Sequence, residues 1–134
     1  MRILALDHGA ARIGCAICDP TETIVRPLGL VEPPSAADVV ALVGEHEAEL
    51  VIVGLPVTLA GEEGEQAAAA RAFVAELAGS LRVPVETYDE RLTTRLAESS
   101  AREGAGAPVD ALAASHLLES YLQRRGGAAR EGSA

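Results

Sequence analysis

Leu50-Val51-Ile52-Val53-Gly54 is the stretch whose reading decides the fold. It is a continuous apolar run rich in β-branched residues and closed by a glycine. A strand with one wet face alternates apolar and polar residues, whereas a run without alternation must be covered on both faces, as in a sheet flanked by helices. Its neighbours agree. Upstream, Ser35-Ala36-Ala37-Asp38 reads as an N-cap followed three residues later by an acid, a variant of the capping box. A helix to about Glu47 follows, with Val39, Leu42 and Val43 on one face. Downstream, residues 62–81 are Ala-rich and helical, with Phe73, Val74 and Leu77 as the apolar stripe.

Farther out, residues 2–7, 12–18 and 24–31 are three strand-like runs. His8-Gly9-Ala10-Ala11, Asp19-Pro20-Thr21 and Glu32-Pro33-Pro34 punctuate them, and such short connections predict an antiparallel meander. Residues 83–88 form a further strand in which Pro84 suits only the first positions. A helix is expected over 94–102, a flexible connector over 104–108, and a final helix over 110–124 bearing Leu112, Leu118, Tyr121 and Leu122. Residues 126–134 carry no apolar side chain larger than Ala and read as a disordered tail. The order β-β-β-α-β-α-β-α-α predicts an α/β fold, a mixed five-stranded sheet flanked by helices, in one domain over 1–125.

Composition narrows the class. Apolar residues make up 49% of 134, with one Phe and two Tyr, so the core must be aliphatic. No apolar run reaches the 18 or more residues of a spanning helix. The apolar opening stops at Asp7, too short for a signal peptide, so a cytoplasmic location is expected. Cys15 and Cys18 have the spacing of a zinc or redox pair, but on a strand positions three apart face opposite ways, so they read as buried apolar residues. The 20 acidic residues outnumber 11 basic ones, all Arg, for a net charge of −9. That balance disfavours tight nucleic-acid binding, which normally draws on a basic patch.

Three acids stand at element ends, where carboxylates can converge without lying in the core. Asp7 ends the first strand, Glu90 follows the last in Tyr88-Asp89-Glu90-Arg91, and Asp110 opens the final helix. Hard cations such as Mg²⁺ are held by such oxygen ligands, and phosphodiester hydrolysis uses them. Each acid also has an ordinary use: a turn residue for Asp7, a solvated loop charge for Glu90, a helix N-cap for Asp110. Spacing alone does not show that the three meet.

Four blocks together resemble the YqgF/RuvX family of RNase H-like proteins. They are Leu6-Asp7-His8-Gly9 with Arg12-Ile13-Gly14; Val53-Gly54-Leu55-Pro56 followed by Gly61 and Gly64; Asp89-Glu90-Arg91-Leu92-Thr93-Thr94; and Asp110-Ala111 with Ala113-Ala114 and residues 118–122. They occur in the family's order and cover about residues 2–123. The resemblance implies an RNase H-like fold and a metal-dependent nuclease in which Asp7, Glu90 and Asp110 bind Mg²⁺ or Mn²⁺. It implies a nucleic-acid partner: the precursor of 16S ribosomal RNA, or, through a likeness to RuvC, a Holliday junction. Arg91 beside the acids is placed to hold a phosphate or to pair with Asp89, and Arg12 to contact backbone phosphate or stand exposed at a strand start. The loop from Gly54 to Gly64 either lies beside substrate or simply joins strand to helix.

The chain departs from that family in two places. The loop before the last helix, Gly104-Ala105-Gly106-Ala107, lacks Arg and Lys, and Thr58 stands where Asn is common. Both bear on nucleic-acid grip and motivate the alternative of a non-catalytic RNA- or protein-binding module. Gly9 and Gly14 have P-loop spacing, but Cys15-Ala16 replaces the Lys and hydroxyl residue that motif needs. His8 reads as a turn residue. Oligomeric state stays open.

Overall fold

The structure of the protein, a computed structural model, describes residues 1–93 and 109–132, with side chains in 1–93 and 111–126. Strands β1 (Ile3–His8), β2 (Ile13–Cys18) and β3 (Val25–Val31) form the expected antiparallel meander. Helix α1 (Ala36–His46) leads to β4 (Leu50–Leu55), α2 (Glu65–Ser80) to β5 (Val85–Asp89), and a 3₁₀ turn (Glu90–Thr93) follows. Helix α3 (Val109–Gly132) ends the described chain. The helix expected over 94–102 and the connector over 104–108 lie outside the described residues.

The five-stranded sheet has the order β3-β2-β1-β4-β5, with β4 parallel to both β1 and β5. Interior β4 is buried at all six positions, as its unbroken apolar run requires. Strand alternation divides the core in two. Leu4, Leu6, Ile13, Val51 and Val53 face α1 and α2, where Val39, Val43, Phe73 and Leu77 meet them. Ile3, Ala5, Ala16, Leu50 and Ile52 face α3, where Ala114, Leu117 and Leu118 meet them. Alanines at 5, 16 and 114 leave room for α3 to lie close on the sheet. Cys15 belongs to the first layer and Cys18 to the second, so the two thiols stand on opposite faces and cannot share a metal.

Local signals account for most boundaries. Ser35 Oγ accepts from the Asp38 amide at 3.2 Å and caps α1, and Glu47 ends that helix in the left-handed region. Strand β5 begins just after Pro84, whose missing N–H suits a strand entrance. The largest departure is at the C-terminus, where α3 runs to Gly132 instead of stopping at Arg124, so most of the expected disordered tail is helical. Arg125 Nε donates to Glu22 Oε1 at 2.9 Å and ties the helix to the β2–β3 turn. Beyond it Gly126 and Gly127 precede better helix formers, so residue propensity does not by itself account for the extension. Among the described residues, no helix is long and apolar enough to cross a membrane.

Truncating Ile52, which is fully buried under α3, to Ala should cost about 2–5 kcal/mol in urea unfolding. Truncating Leu59, 95% exposed, should stay within about 0.5 kcal/mol. Equal losses at the two positions would contradict this packing.

Candidate active site

The site begins with the direction of β1. Ile3 and Ala5 face α3, so Asp7, two positions on, comes to the same face at the strand's end. It pairs with Gly14 across the antiparallel ladder. His8 turns to the other face and stacks on Phe73 with ring centroids 4.9 Å apart, where burial lowers its pKa despite the pull of Asp7. The two side chains leave the strand on opposite faces, and the turn-residue reading of His8 becomes a packing one.

Glu90 reaches the same place from the other side. Tyr88 packs on the α3 face, and Glu90, two residues later, opens the 3₁₀ turn on that face. In the sheet order β4 separates β1 from β5, so the two carboxylates must meet across it. They do meet: the Asp7 side chain lies within hydrogen-bonding reach of the Glu90 carboxyl and helps to raise its pKa. The residue of β4 beneath them is Gly54, one step past the Leu6–Val53 pair and opposite Tyr88. A Cβ on Gly54 would lie 2.6 Å from Glu90 Oε1, 3.1 Å from Cγ and 3.3 Å from Cδ. Burial, the bond to Asp7, and the charges of Asp7 and Asp89 push the Glu90 pKa up to about 7.

Asp110 lies at the start of α3, and its side chain is outside those described. Its backbone position is defined. Arg125 and the amino group of Met1 both reach Glu22, so the far end of α3 lies at the beginning of β1. Fifteen helical residues, about 22 Å, carry α3 back toward the end of β1 that holds Asp7. Position 110 falls one turn before Ala114, in line with the Ala114, Leu117, Leu118 and Tyr121 stripe that meets the sheet.

Arg91 pairs with Asp89, donating from Nη2 to Oδ2 at 2.6 Å and from Nε to the same oxygen at 2.9 Å. Both charges are thereby engaged, and the hydrogen bonds from Arg91 hold the Asp89 carboxyl below its ordinary pKa. An open cleft of about 810 Å³ runs beside them, lined by Thr58, Leu59, Gln66, Glu90 and Arg91 among others. A smaller one of about 200 Å³ is lined by Asp7, Gly9 and Arg12. Asp7, Glu90 and Gly54 are thus brought together, with Arg91 beside Glu90 and Arg12 beside Asp7.

One supporting device escaped the sequence reading. Ser120 Oγ donates to Leu92 O at 3.1 Å and accepts from Tyr88 OH at 2.7 Å, while Tyr121 OH donates to Glu86 at 3.0 Å. Helix α3 therefore clamps the residues on both sides of Glu90. Its only sequence trace is a serine at a core-facing helix position. His116, one turn earlier, is buried with Nδ1 unpartnered.

Among the described residues no group of three His, Cys, Asp or Glu could hold a metal ion. The Asp7–Glu90 pair nevertheless fits a hard cation in kind: both donors are carboxylate oxygens, and the thiol of Cys15 lies on the opposite face.

The raised Glu90 pKa has a consequence for stability. In the folded, metal-free protein Glu90 keeps its proton to about pH 7, against the ordinary 4.5 when unfolded. Between those values the folded state binds the extra proton, so raising the pH through the window lowers stability. Glu90→Gln cannot titrate. In chelator-treated protein its stability relative to wild type should therefore grow from about pH 5 to about pH 8, His8 being common to both. A constant difference would contradict the burial of the pair.

Comparison with known proteins agrees with this architecture. The sequence matches the RuvX family, described as Holliday junction resolvase, over residues 1–124. A Chloroflexus aggregans protein provisionally named a pre-16S rRNA nuclease is 44% identical over 133 residues, 92% of this chain and 94% of that one. An Anaeromyxobacter protein of the same name is 44% identical over 136 residues, 93% of this chain and 98% of its own. Among solved structures, T. thermophilus RuvC in complex with a Holliday junction substrate superposes with a TM-score of 0.70 at 17% identity, covering 95% of this chain and 97% of that one. The fowlpox virus Holliday junction resolvase gives 0.58 at 14% identity, covering 92% and 99%. The fold is that of the RuvC-like, RNase H-like resolvases. With the matched profile spanning nearly its whole length, this chain belongs to the RuvX family.

Proposed function

We propose that the chain is a cytoplasmic nuclease that hydrolyses phosphodiester bonds with Mg²⁺ or Mn²⁺ held by Asp7, Glu90 and Asp110, and that its substrate is the precursor of 16S ribosomal RNA. The observation that carries this reading is the contact of Asp7 with Glu90 across β4. Two carboxylates pressed together on a half-buried surface repel each other unless a proton or a cation lies between them. A bound divalent ion supplies the Lewis acid for the phosphate and lowers the pKa of its water.

The remaining roles fall to the chain's own residues. Asp7 provides an oxygen donor on a strand end braced by core packing, and Glu90 one on a 3₁₀ turn held by the hydrogen bonds of Ser120. Position 110, at the start of the helix above them, supplies the third. The strand flanking the scissile phosphate lies in the cleft from Glu90 to Leu59, with Arg91 and Gln66 along its wall. Arg91 meets phosphate by exchanging part of its pairing with Asp89, and Arg12 meets it on the Asp7 side. Gly54 lies beneath the Glu90 carboxylate, where substrate would approach the two acids. The RNA assignment is supported by the names of relatives 44% identical over more than nine-tenths of the chain.

A Holliday junction is the second reading, favoured by the family's description and by the fold of the junction-bound T. thermophilus protein. Cutting a junction symmetrically takes two sites and hence a dimer. Purified protein with Mn²⁺ should cleave precursor 16S RNA while leaving a four-way DNA junction intact, and junction cleavage by a dimer would reverse the choice. Asp7→Asn should slow cutting by about a thousandfold, several kcal/mol of lost transition-state stabilisation. Cutting that persists in Asp7→Asn combined with Glu90→Gln overturns the hydrolytic reading altogether.

A further inference from the structure

We infer that Gly54 is a positioning residue: the gap left in β4 by its missing side chain is the passage through which Glu90 reaches Asp7. This deepens the nuclease reading and rests on it only for the metal measurement below.

The geometry is specific. Asp7 belongs to β1 and Glu90 follows β5, and the strand between them is β4. Strand β4 is covered on both faces, and its α3-facing positions are Leu50, Ile52 and then Gly54. Leu50 and Ile52 fill the space between sheet and helix. At the third position the space is filled from the neighbouring strand, by Oε1, Cγ and Cδ of Glu90, all within 3.3 Å of where a Cβ would stand. Any other residue at 54 would occupy the volume that the carboxylate now holds. What it would displace is the far end of one flexible side chain rather than backbone, so the carboxylate swings away and the sheet stays intact. Backbone conformation gives no separate reason for glycine here, since Gly54 is not among the positive-φ residues. On its other side Asp7 faces a second glycine, Gly14, so the residues paired alongside it add no bulk there.

The test is a double-mutant cycle read in Mn²⁺ affinity and in structure, on the full chain. Gly54→Ala should remain folded, with Mn²⁺ affinity lowered about tenfold or more, the range seen when a residue orienting a metal ligand is lost. Glu90→Gln should weaken Mn²⁺ binding in the wild-type background but add little in Gly54→Ala, because there the carboxylate has already left. A crystal structure of Gly54→Ala should show Glu90 Oε1 withdrawn from Asp7. Unchanged Mn²⁺ affinity in Gly54→Ala, or losses that add in full, would overturn the inference. Should Gly54→Ala not fold alone, combining it with Glu90→Ala must restore folding, since that change empties the contested space; a still-unfolded double variant is equally fatal. If wild type binds no Mn²⁺, the metal-dependent reading fails by itself. The crystal structure then still decides the role of Gly54: a Glu90 side chain unmoved in the Gly54→Ala variant would refute it.

Discussion

Two carboxylates in contact are an expense that a fold has no general reason to accept, and the rest of this structure is arranged around that contact. Asp7 and Glu90 lie 83 positions apart in sequence and one strand apart in space. Their meeting requires β1 and β5 to flank the same strand, both side chains to take the α3 face, and that strand to have nothing standing between them. The strand order, the alternation of each strand and Gly54 supply these conditions in turn. Each is set by backbone geometry, which keeps the two carboxyls together at the cost of a raised Glu90 pKa.

Rigidity comes from layers on both sides. Strand β4 is buried at every position, and each fully buried Val or Ile there contributes about 1.5–3 kcal/mol of apolar burial. Glu90, by contrast, sits in a 3₁₀ turn with no buried residue of its own. What fixes that turn is polar: Ser120 holding Leu92 and Tyr88, with Thr93 Oγ1 donating to Glu90 O at 2.7 Å. Helix α3 thus does two things from one face. Its alanines and leucines close the core over β1 and β2, and its Ser120–Tyr121 pair holds the end of β5.

Much of this was legible in the sequence, and the reasons differ by element. The unbroken run at 50–54 shows a doubly covered strand because water can reach neither face. Ser35 marks a helix start because its oxygen answers an orphan amide. The candidate acids stand out because strand and helix ends are where carboxylates can converge. Their pairing was not legible, because contact between Asp7 and Glu90 is a property of strand order, and strand order is not written in any local pattern. The same limit hid the relation of Gly54 to Glu90: a glycine at a strand exit reads as a turn or a substrate contact until the neighbouring strand is known. The end of the final helix was hidden for another reason. Its large apolar side chains stop at Leu122 and Gly126 and Gly127 follow soon after, so no local pattern carries the helix onward, and the Arg125–Glu22 pair that ties it down joins residues far apart in sequence.

A net charge of −9 weighs against any nucleic-acid enzyme, but net charge is the wrong quantity at the distances that matter. At physiological salt, fields from exposed charges fade over about 8 Å, so acids remote from the site contribute little to what a phosphate feels there. Locally, Asp89 is matched by Arg91, and the Asp7–Glu90 pair adds further acid beside it. A proton on Glu90 removes part of that charge, and a divalent cation in its place would cancel the charge of both carboxylates. On this view the acidity of the chain is compatible with a nucleic-acid substrate. A cation held by those acids would offer phosphate a direct partner at the site, and association with nucleic acid would then depend on the metal more than on surface arginines.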